Sequence, residues 1–539
     1  MYAGEFYYLP LLCLLCASVV SRARAVAPNV NHRVIVHSRY VPLRGERWLV
    51  ALICSVAAIR ILFFCAVFPF FNNVDEQSHF DLIWKYSMNR SVLETDRVDP
   101  NVLRIVYLFG SPEYLLRPID FPGGSLGPPH FLQLADIRDQ AIGKIVMMSK
   151  HKNIEEYSPP LYYFLAGRWT AIGRTMGLRD GGLLYWARFL NVPLYVLIVW
   201  ISYRLSRLIP YKDPRMVFGI PLLAAFMPQS VFYSLNSDIL TPLPSGIALL
   251  LMIRGLLDLQ FDWRHYAALG LCLSAAILTK LSNLPLFFMT AVFIALKAGP
   301  DGESVLSRKR IVNACAFCIC LLPIAAWSLR NFLSTGDWTG TSRKVQLLGW
   351  TYKPVSDLFS HPIFTFSGIN YFFNKILSSF WLGEFTWGLK PLVVNHMDYC
   401  CSITTLFFLF AACITAMRMT GRPAERDIIV ISLAGIFSAL VYMALLSMLY
   451  NFGHSFYPSA EKPFFVSGRL ILCVMFPILL CITWTIDRWA TRSPKTPNRT
   501  GIAVIIVLCV FLAINDLVIV QKPLASVYNF FHIPLGAIG

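Results

Sequence analysis

The string FNNVDEQSHFDLIWKYS sets two adjacent carboxylates, Asp75 and Glu76, one helical turn ahead of His79. Such charges after an apolar run can simply mark where a chain leaves a membrane. They can equally supply a general base, or one or two metal ligands, in a pocket at the membrane surface. The Glu-x-x-His spacing places Glu76 and His79 on one helical face, as a site for a divalent metal ion can use. A second polar cluster lies in MPQSVFYSLNSDILTPLP, where Asn236 and Asp238 interrupt two apolar stretches. Both residue types cap helices well. Their expected depth also matches that of Asp75, so the two clusters can line one outward-facing cavity.

Cations complete the set. Lys280 ends the run LCLSAAILTKLSN, where an ammonium is costly unless it is paired, wet or snorkelling to the interface. Arg330 in SLRNFLSTGDWTG and Arg469 in FFVSGRLIL stand at the expected outer ends of two other apolar runs. Converging cations suit a lipid-linked phosphate or pyrophosphate, which arginine grips bidentately; alone, each arginine can also anchor its helix. Glu384, in SFWLGEFTWG, sits among Trp338, Trp350, Trp381 and Trp387, which serve as an interfacial belt or as a sugar platform. No P-loop, G-x-S-x-G, HExxH or Gly-rich dinucleotide fingerprint is present.

The elements that must hold these residues are membrane helices. The chain has 539 residues, 56% hydrophobic and only 14% charged, against roughly 25% charged in soluble domains. Mean hydropathy is +0.57. A soluble enzyme, a disordered scaffold and a disulfide mini-fold are excluded. The net charge of +17 comes from basic linkers between apolar runs, which is the cytoplasmic-loop pattern of membrane proteins and not a nucleic-acid surface. Most of the 14 cysteines sit inside apolar runs and read as small hydrophobes. Cys13 and Cys16 lack the second pair a zinc site needs, and Cys400 and Cys401, at a membrane edge, leave a disulfide open.

The patterning predicts an all-α polytopic membrane protein with about eleven spans. These lie near 48–71, 183–203, 216–234, 239–257, 265–281, 284–296, 311–329, 402–417, 427–449, 466–486 and 501–520. Arg60 interrupts the first and must face protein or water. Residues 1–47 form an N-terminal segment with an apolar run, either an extra short span or a start-site artefact, followed by a basic cytoplasmic stretch. The main transmembrane unit covers 48–489, with outer loops at about 72–182 and 330–400. A cytoplasmic linker and a final helix occupy 490–539. Residues 158–176 look like a further span, but crossing there would put Arg204, Arg207, Lys212 and Arg215 outside. They are therefore assigned to an amphipathic helix at the outer interface.

The order of motifs is then recognisable: DE-x-x-H after the first span, PPLYY, a P-x(7)-N-x-D turn from Pro228 to Asp238, LTK before a short apolar helix, RN-x(4)-GDW and a late GRL. Across about 48–489 this order resembles an uncharacterised bacterial multi-span family grouped with the GT-C glycosyltransferases. It is more distantly similar to protein O-mannosyltransferases and lipid A aminoarabinose transferases. One departure is Gly468-Arg469-Leu470, where that family usually reads GRY.

The resemblance implies a plasma (inner) membrane glycosyltransferase with its active site facing outside or the periplasm. It would move a sugar from a polyprenyl-phosphate-linked donor to a glycan, lipid or protein acceptor. By that analogy Asp75 and Glu76 are the catalytic acids, with Asp75 the base. Asp238 orients acceptor or metal, and Lys280, Arg330 and Arg469 neutralise the leaving phosphate. His79, Asn236 and Glu384 complete the substrate-binding set. A divalent metal on Glu76, His79 and Asp238 stays open, since some relatives need one and others do not. The rival reading is a transporter or flippase for a lipid-linked glycan, although the two halves show no inverted repeat. Membrane lipids are expected partners and nucleic acid is not.

Overall fold

The computed structural model describes residues 43–71, 75–89, 97–148, 152–257, 261–297, 307–394, 397–419, 423–453, 457–491 and 499–536. The N-terminal apolar run, Cys13 and Cys16 and most of the 490–499 linker lie outside the described residues. The protein is an all-α, multi-pass membrane protein.

Each of the eleven expected spans is present as helix, but among the described residues only seven helices have the length and composition to cross a membrane: Glu46–Val67, Asp180–Ser206, Ser237–Leu257, Met397–Met417, Pro423–Leu449, Gly468–Ala490 and Thr500–Leu524. An eighth is counted if Arg308–Ile319 and Leu322–Thr335, bent by 43°, form one broken span. Pro323 at the second helix's start explains the break, because proline offers no N–H to continue a ladder from the preceding turn. The other three are short. Gly219–Phe226 stops two residues before Pro228, with Met227 extended as the residue preceding a proline prefers. Trp263–Ile277, started by an Asp262 capping box, and Pro285–Lys297 are separated by the turn that carries Lys280. Of the expected set of about eleven, seven or eight therefore reach full spanning length among the described residues. Hydropathy located the helices, whereas proline and asparagine set their lengths.

The basic linkers gather at one end of the bundle. Glu46 accepts from the Tyr203 hydroxyl at 2.5 Å and pairs with Arg207 at 3.7 Å. Asp487 accepts from the backbone of Lys212 at 2.8 Å and Asp213 at 2.9 Å, and Glu425 takes Arg488 and the Trp484 indole. Arg60 faces protein as expected: it grips Asp516 of the last span through two bonds, of 2.6 and 2.9 Å.

At the opposite end the first long loop folds into helices Glu76–Ser87, Pro100–Phe109, Ala135–Met148 and Leu161–Thr175. Buried Asp81 ties them together by accepting from Lys85 (2.6 Å), Asn153 (2.7 Å) and the Asp99 backbone (2.8 Å). The helix expected at the outer interface, Leu161–Thr175, buries Tyr162, Tyr163 and Gly167 and exposes Phe164, Leu165 and Ile172. A Cβ on Gly167 would meet Tyr86 Cβ at 2.6 Å, so glycine permits the close crossing with Glu76–Ser87. The chain after the last span returns to this end, where Phe530 N–H bonds the Ala66 carbonyl at 2.9 Å. Among the described residues every cysteine is a free thiol, Cys400 and Cys401 included.

Candidate functional site

Seven segments far apart in sequence, those bearing Asp75, Glu155, Asp238, Lys280, Lys344, Glu384 and Arg469, meet at the end of the bundle away from the basic linkers. The first begins with Asp75, whose φ of 64° is left-handed, a region aspartate tolerates better than most residues. Its carbonyl accepts from Ser78 and His79 at 2.9 and 3.0 Å, starting the helix, while its side chain makes no capping bond. The carboxylate is thus left to the charges around it. It lies in the electrostatic field of His79, Lys344 and Arg469.

Asp238 forms the centre. It follows Asn236, whose side-chain oxygen caps the short 237–240 turn by accepting from Asp238 N–H at 2.9 Å. Asn236 is thus a cap, and its bond fixes the backbone that carries Asp238. Fully buried Asp238 is ion-paired with Lys280 at 2.5 Å and with Arg469 at 3.5 Å. Arg469 reaches on to Glu384 at 3.4 Å, and Ser467 Oγ donates to Glu384 at 2.6 Å. This crossing depends on Gly468, where a Cβ would stand 2.0 Å from Phe380 N, against the backbone of the Phe366–Leu382 helix. The glycine of the GRL motif is what lets Arg469 enter the site. Leucine in place of the usual tyrosine beside it leaves that entry intact.

His79 Nδ1 lies 2.7 Å from the Tyr163 hydroxyl, and burial pushes its imidazole down to about 4, so it is neutral at pH 7. Next to it, Glu155 holds Lys344 and accepts from Ser158. Burial favours a neutral Glu155, but Lys344 and the neighbouring donors outweigh it and hold the carboxyl below the ordinary carboxylate range. The same partnership raises the Lys344 ammonium above its usual range despite burial.

Glu76 is placed elsewhere. Its fully buried carboxylate accepts from Arg188 (2.8 Å), Leu235 N–H (3.0 Å) and Phe71 N–H (2.8 Å). Arg188, also fully buried, bonds the carbonyl of Pro69 at 3.1 Å and that of Cys65 at 3.3 Å. Glu76 therefore pins the end of the first span to the turn that bears Asp238, and its oxygens are occupied by that task. The expected Glu76–His79–Asp238 metal set is not assembled: Glu76 serves Arg188, Asp238 serves two cations, and His79 faces Tyr163. Among the described residues no group of three or more His, Cys, Asp or Glu side chains is placed to hold a metal. Arg330 stands at the edge, beside Tyr86, whose ring stacks with that of Tyr163 at 6.3 Å. Of the tryptophans, Trp381 donates to Thr405 Oγ1 at 2.7 Å, Trp350 packs on Tyr450, Phe452 and Phe465, and Trp387 meets Tyr114 edge-on.

Four residues of this end escaped sequence reading. Arg188 is a lone arginine in an apolar run and carries the same signal as Arg60. Glu155 and Tyr163 flank and belong to PPLYY, which offered position but no chemistry. Lys344, a few residues past GDW, bears no local signal at all.

A family model described as "Predicted membrane protein (DUF2142)" matches residues 59–454. No curated protein matches the sequence. Among solved structures, ArnT from Cupriavidus metallidurans bound to undecaprenyl phosphate matches with 11% identity and a TM-score of 0.43, over 90% of this chain and 75% of that one. Its apo state matches with 13% identity and a TM-score of 0.40, over the same shares.

Proposed function

We propose that this chain, which belongs to the DUF2142 family of predicted membrane proteins, is a membrane glycosyltransferase that takes its sugar from a polyprenyl-phosphate donor. The observation that carries the reading is the pair of cations, Lys280 and Arg469, braced on buried Asp238 next to an uncapped Asp75. Glycosyl transfer needs those two things in one place: a base for the acceptor hydroxyl and positive charge for the anionic leaving group. The motif order, which resembles the GT-C families, supports the same class.

In this reading Asp75 accepts the proton of an acceptor hydroxyl as its oxygen bonds the anomeric carbon. The bond from that carbon to the phosphate oxygen breaks, and polyprenyl phosphate leaves with the electron pair. Lys280 and Arg469 stabilise the growing charge on the phosphate. Asp238 acts through them: it is buried behind both cations and holds their direction. Glu384, with Ser467, steadies Arg469 from the other side. Glu76 acts through position, fixing where Asp75 and Asp238 stand. The reaction as written uses no metal. The site lies opposite the basic linkers, and the charge rule supports an outer-face site, where a lipid-linked donor is available and a nucleotide sugar is not.

The test is radiolabelled sugar transfer from polyprenyl-phosphate donors by the purified full-length protein, in detergent and in vesicles. Acceptor-dependent release of polyprenyl phosphate is the expected result. Movement of the intact labelled lipid across vesicles with no bond cleavage would make the protein a transporter instead.

A further inference from the structure

The Lys280–Asp238 pair has a counterpart that the reaction above leaves unused. Lys344 binds Glu155, and exposure is split the same way in both pairs. The Lys280 side chain is 23% exposed against 1% for Asp238, and the Lys344 side chain 36% against 8% for Glu155. Two flexible side chains meeting on a surface would both be wet. Here each carboxylate is buried and the lysine side chain beside it keeps part of its surface exposed.

Both partners of the second pair are held in place. Glu155 N–H donates to Asn153 Oδ1 at 2.8 Å, and Asn153 is tied by its amide to Ser78 O at 2.9 Å and to Asp81 at 2.7 Å. Lys344 rides on the short helix Thr341–Leu347. That helix is launched by Asp337, which accepts from Thr339 N–H at 2.9 Å and Ser342 N–H at 2.8 Å. Gly340, at φ 69°, presses this turn onto the acidic segment, since an added Cβ would lie 2.8 Å from Tyr157 Cβ. The Lys344 ammonium feels Asp75 and Arg469 as well as Glu155, and the field of Lys280 reaches Glu155. The two lysine pairs therefore stand within electrostatic reach of each other and of Arg469, and Asp75 acts on both Lys344 and Arg469.

We propose that Lys344 is a third phosphate-contacting cation of this site, braced by Glu155 as Lys280 is braced by Asp238. A phosphate ester spreads its charge over several oxygens and can accept from two ammonium groups and a guanidinium together. A neutral sugar hydroxyl has no use for three converging cations. The ligand class, a polyprenyl phosphate, rests on the transferase reading; the contact with Lys344 is the new element.

The test is a titration of the purified full-length protein, in detergent micelles, with decaprenyl phosphate, using decaprenol as the phosphate-free control. Lys344→Gln should weaken binding of decaprenyl phosphate by about tenfold or more, the scale of one lost charge-assisted hydrogen bond. Lys344→Arg should stay within about threefold of the wild type, because the charge is kept. Glu155→Gln should fall between them, and surface Lys390→Gln should change nothing. If Lys280→Gln weakens binding while Lys344→Gln does not, the Lys344 assignment is wrong and the transferase reading survives. If the wild type does not distinguish decaprenyl phosphate from decaprenol, both fall. Should Lys344→Gln not be recovered folded, amine acetylation of the wild type followed by mass spectrometry decides. Decaprenyl phosphate should protect Lys344 and leave Lys390 reactive, and equal reactivity of Lys344 with and without it overturns the proposal.

Discussion

Adjacent acids with opposite jobs give a sharp prediction. Glu76→Gln should destabilise the protein strongly and Asp75→Asn hardly at all, with the order reversed for turnover. The Glu76 carboxylate is fully buried against a fully buried Arg188, and three donors converge on its two oxygens. A glutamine oxygen can still accept from Arg188 and Leu235, which share Oε1. Its amide nitrogen then faces the Phe71 N–H, donor against donor, and the guanidinium loses its counter-charge inside the protein. Removing one partner of a buried pair costs about 3–5 kcal/mol. Asp75 is the contrast. Its side chain makes no cap bond, and asparagine tolerates the left-handed backbone as well as aspartate does, so Asp75→Asn should stay within about 0.5 kcal/mol. Turnover should nonetheless drop by about 10²–10⁴-fold in that variant, the range for losing a general base. Unfolding in detergent, with wild type and both variants side by side, measures the first half, and sugar release measures the second. A Glu76→Gln protein as stable as the wild type but inactive would refute the reasoning and return the base to Glu76.

Other perturbations follow from the same geometry. Gly468→Ala must push back the Phe380 backbone, which would stand 2.0 Å from the new Cβ; a loss of about 1–3 kcal/mol in thermal unfolding is expected, with weakened binding of decaprenyl phosphate because Arg469 is displaced. Arg60→Leu should be destabilising by leaving Asp516 unpaired inside the bundle, and Arg60→Leu with Asp516→Leu should recover much of the loss, read from melting of the single and double variants. Burial holds His79 down at about 4 against an ordinary 6.5, so its neutral form contributes stability above pH 6.5 that is lost as pH falls toward 4. A His79→Gln protein should show a flatter decline over that window, and an unchanged profile would remove His79 as its source.

Much of this was legible in the sequence because charge in an apolar chain is conspicuous. Arg60, Asp238, Lys280 and Arg469 were each isolated in hydrophobic surroundings, and the structure gives each a charged partner inside protein. The rule that a lone membrane charge must be paired does not say with whom, so the Asp238–Lys280–Arg469–Glu384 chain could be found only once four segments had folded together. Glu76 shows the opposite failure. Its spacing to His79 describes a shared helical face, yet Arg188, more than a hundred residues later, claims its carboxylate. Span lengths were overestimated where Pro228 and Pro323 cut runs that hydropathy reads as continuous. Lys344 was invisible because an ordinary lysine in a polar loop differs from its neighbours only by where the Asp337 turn delivers it.

The most direct measurement is phosphorus NMR of a defined polyprenyl-phosphoryl hexose incubated with the purified protein and a membrane-derived acceptor fraction. The account predicts that the phosphodiester signal converts to a phosphomonoester with the wild type, stays unchanged with Asp75→Asn, and converts slowly with Lys280→Gln. Conversion at the wild-type rate by Asp75→Asn, or no conversion by a folded wild type that binds the donor, would contradict it.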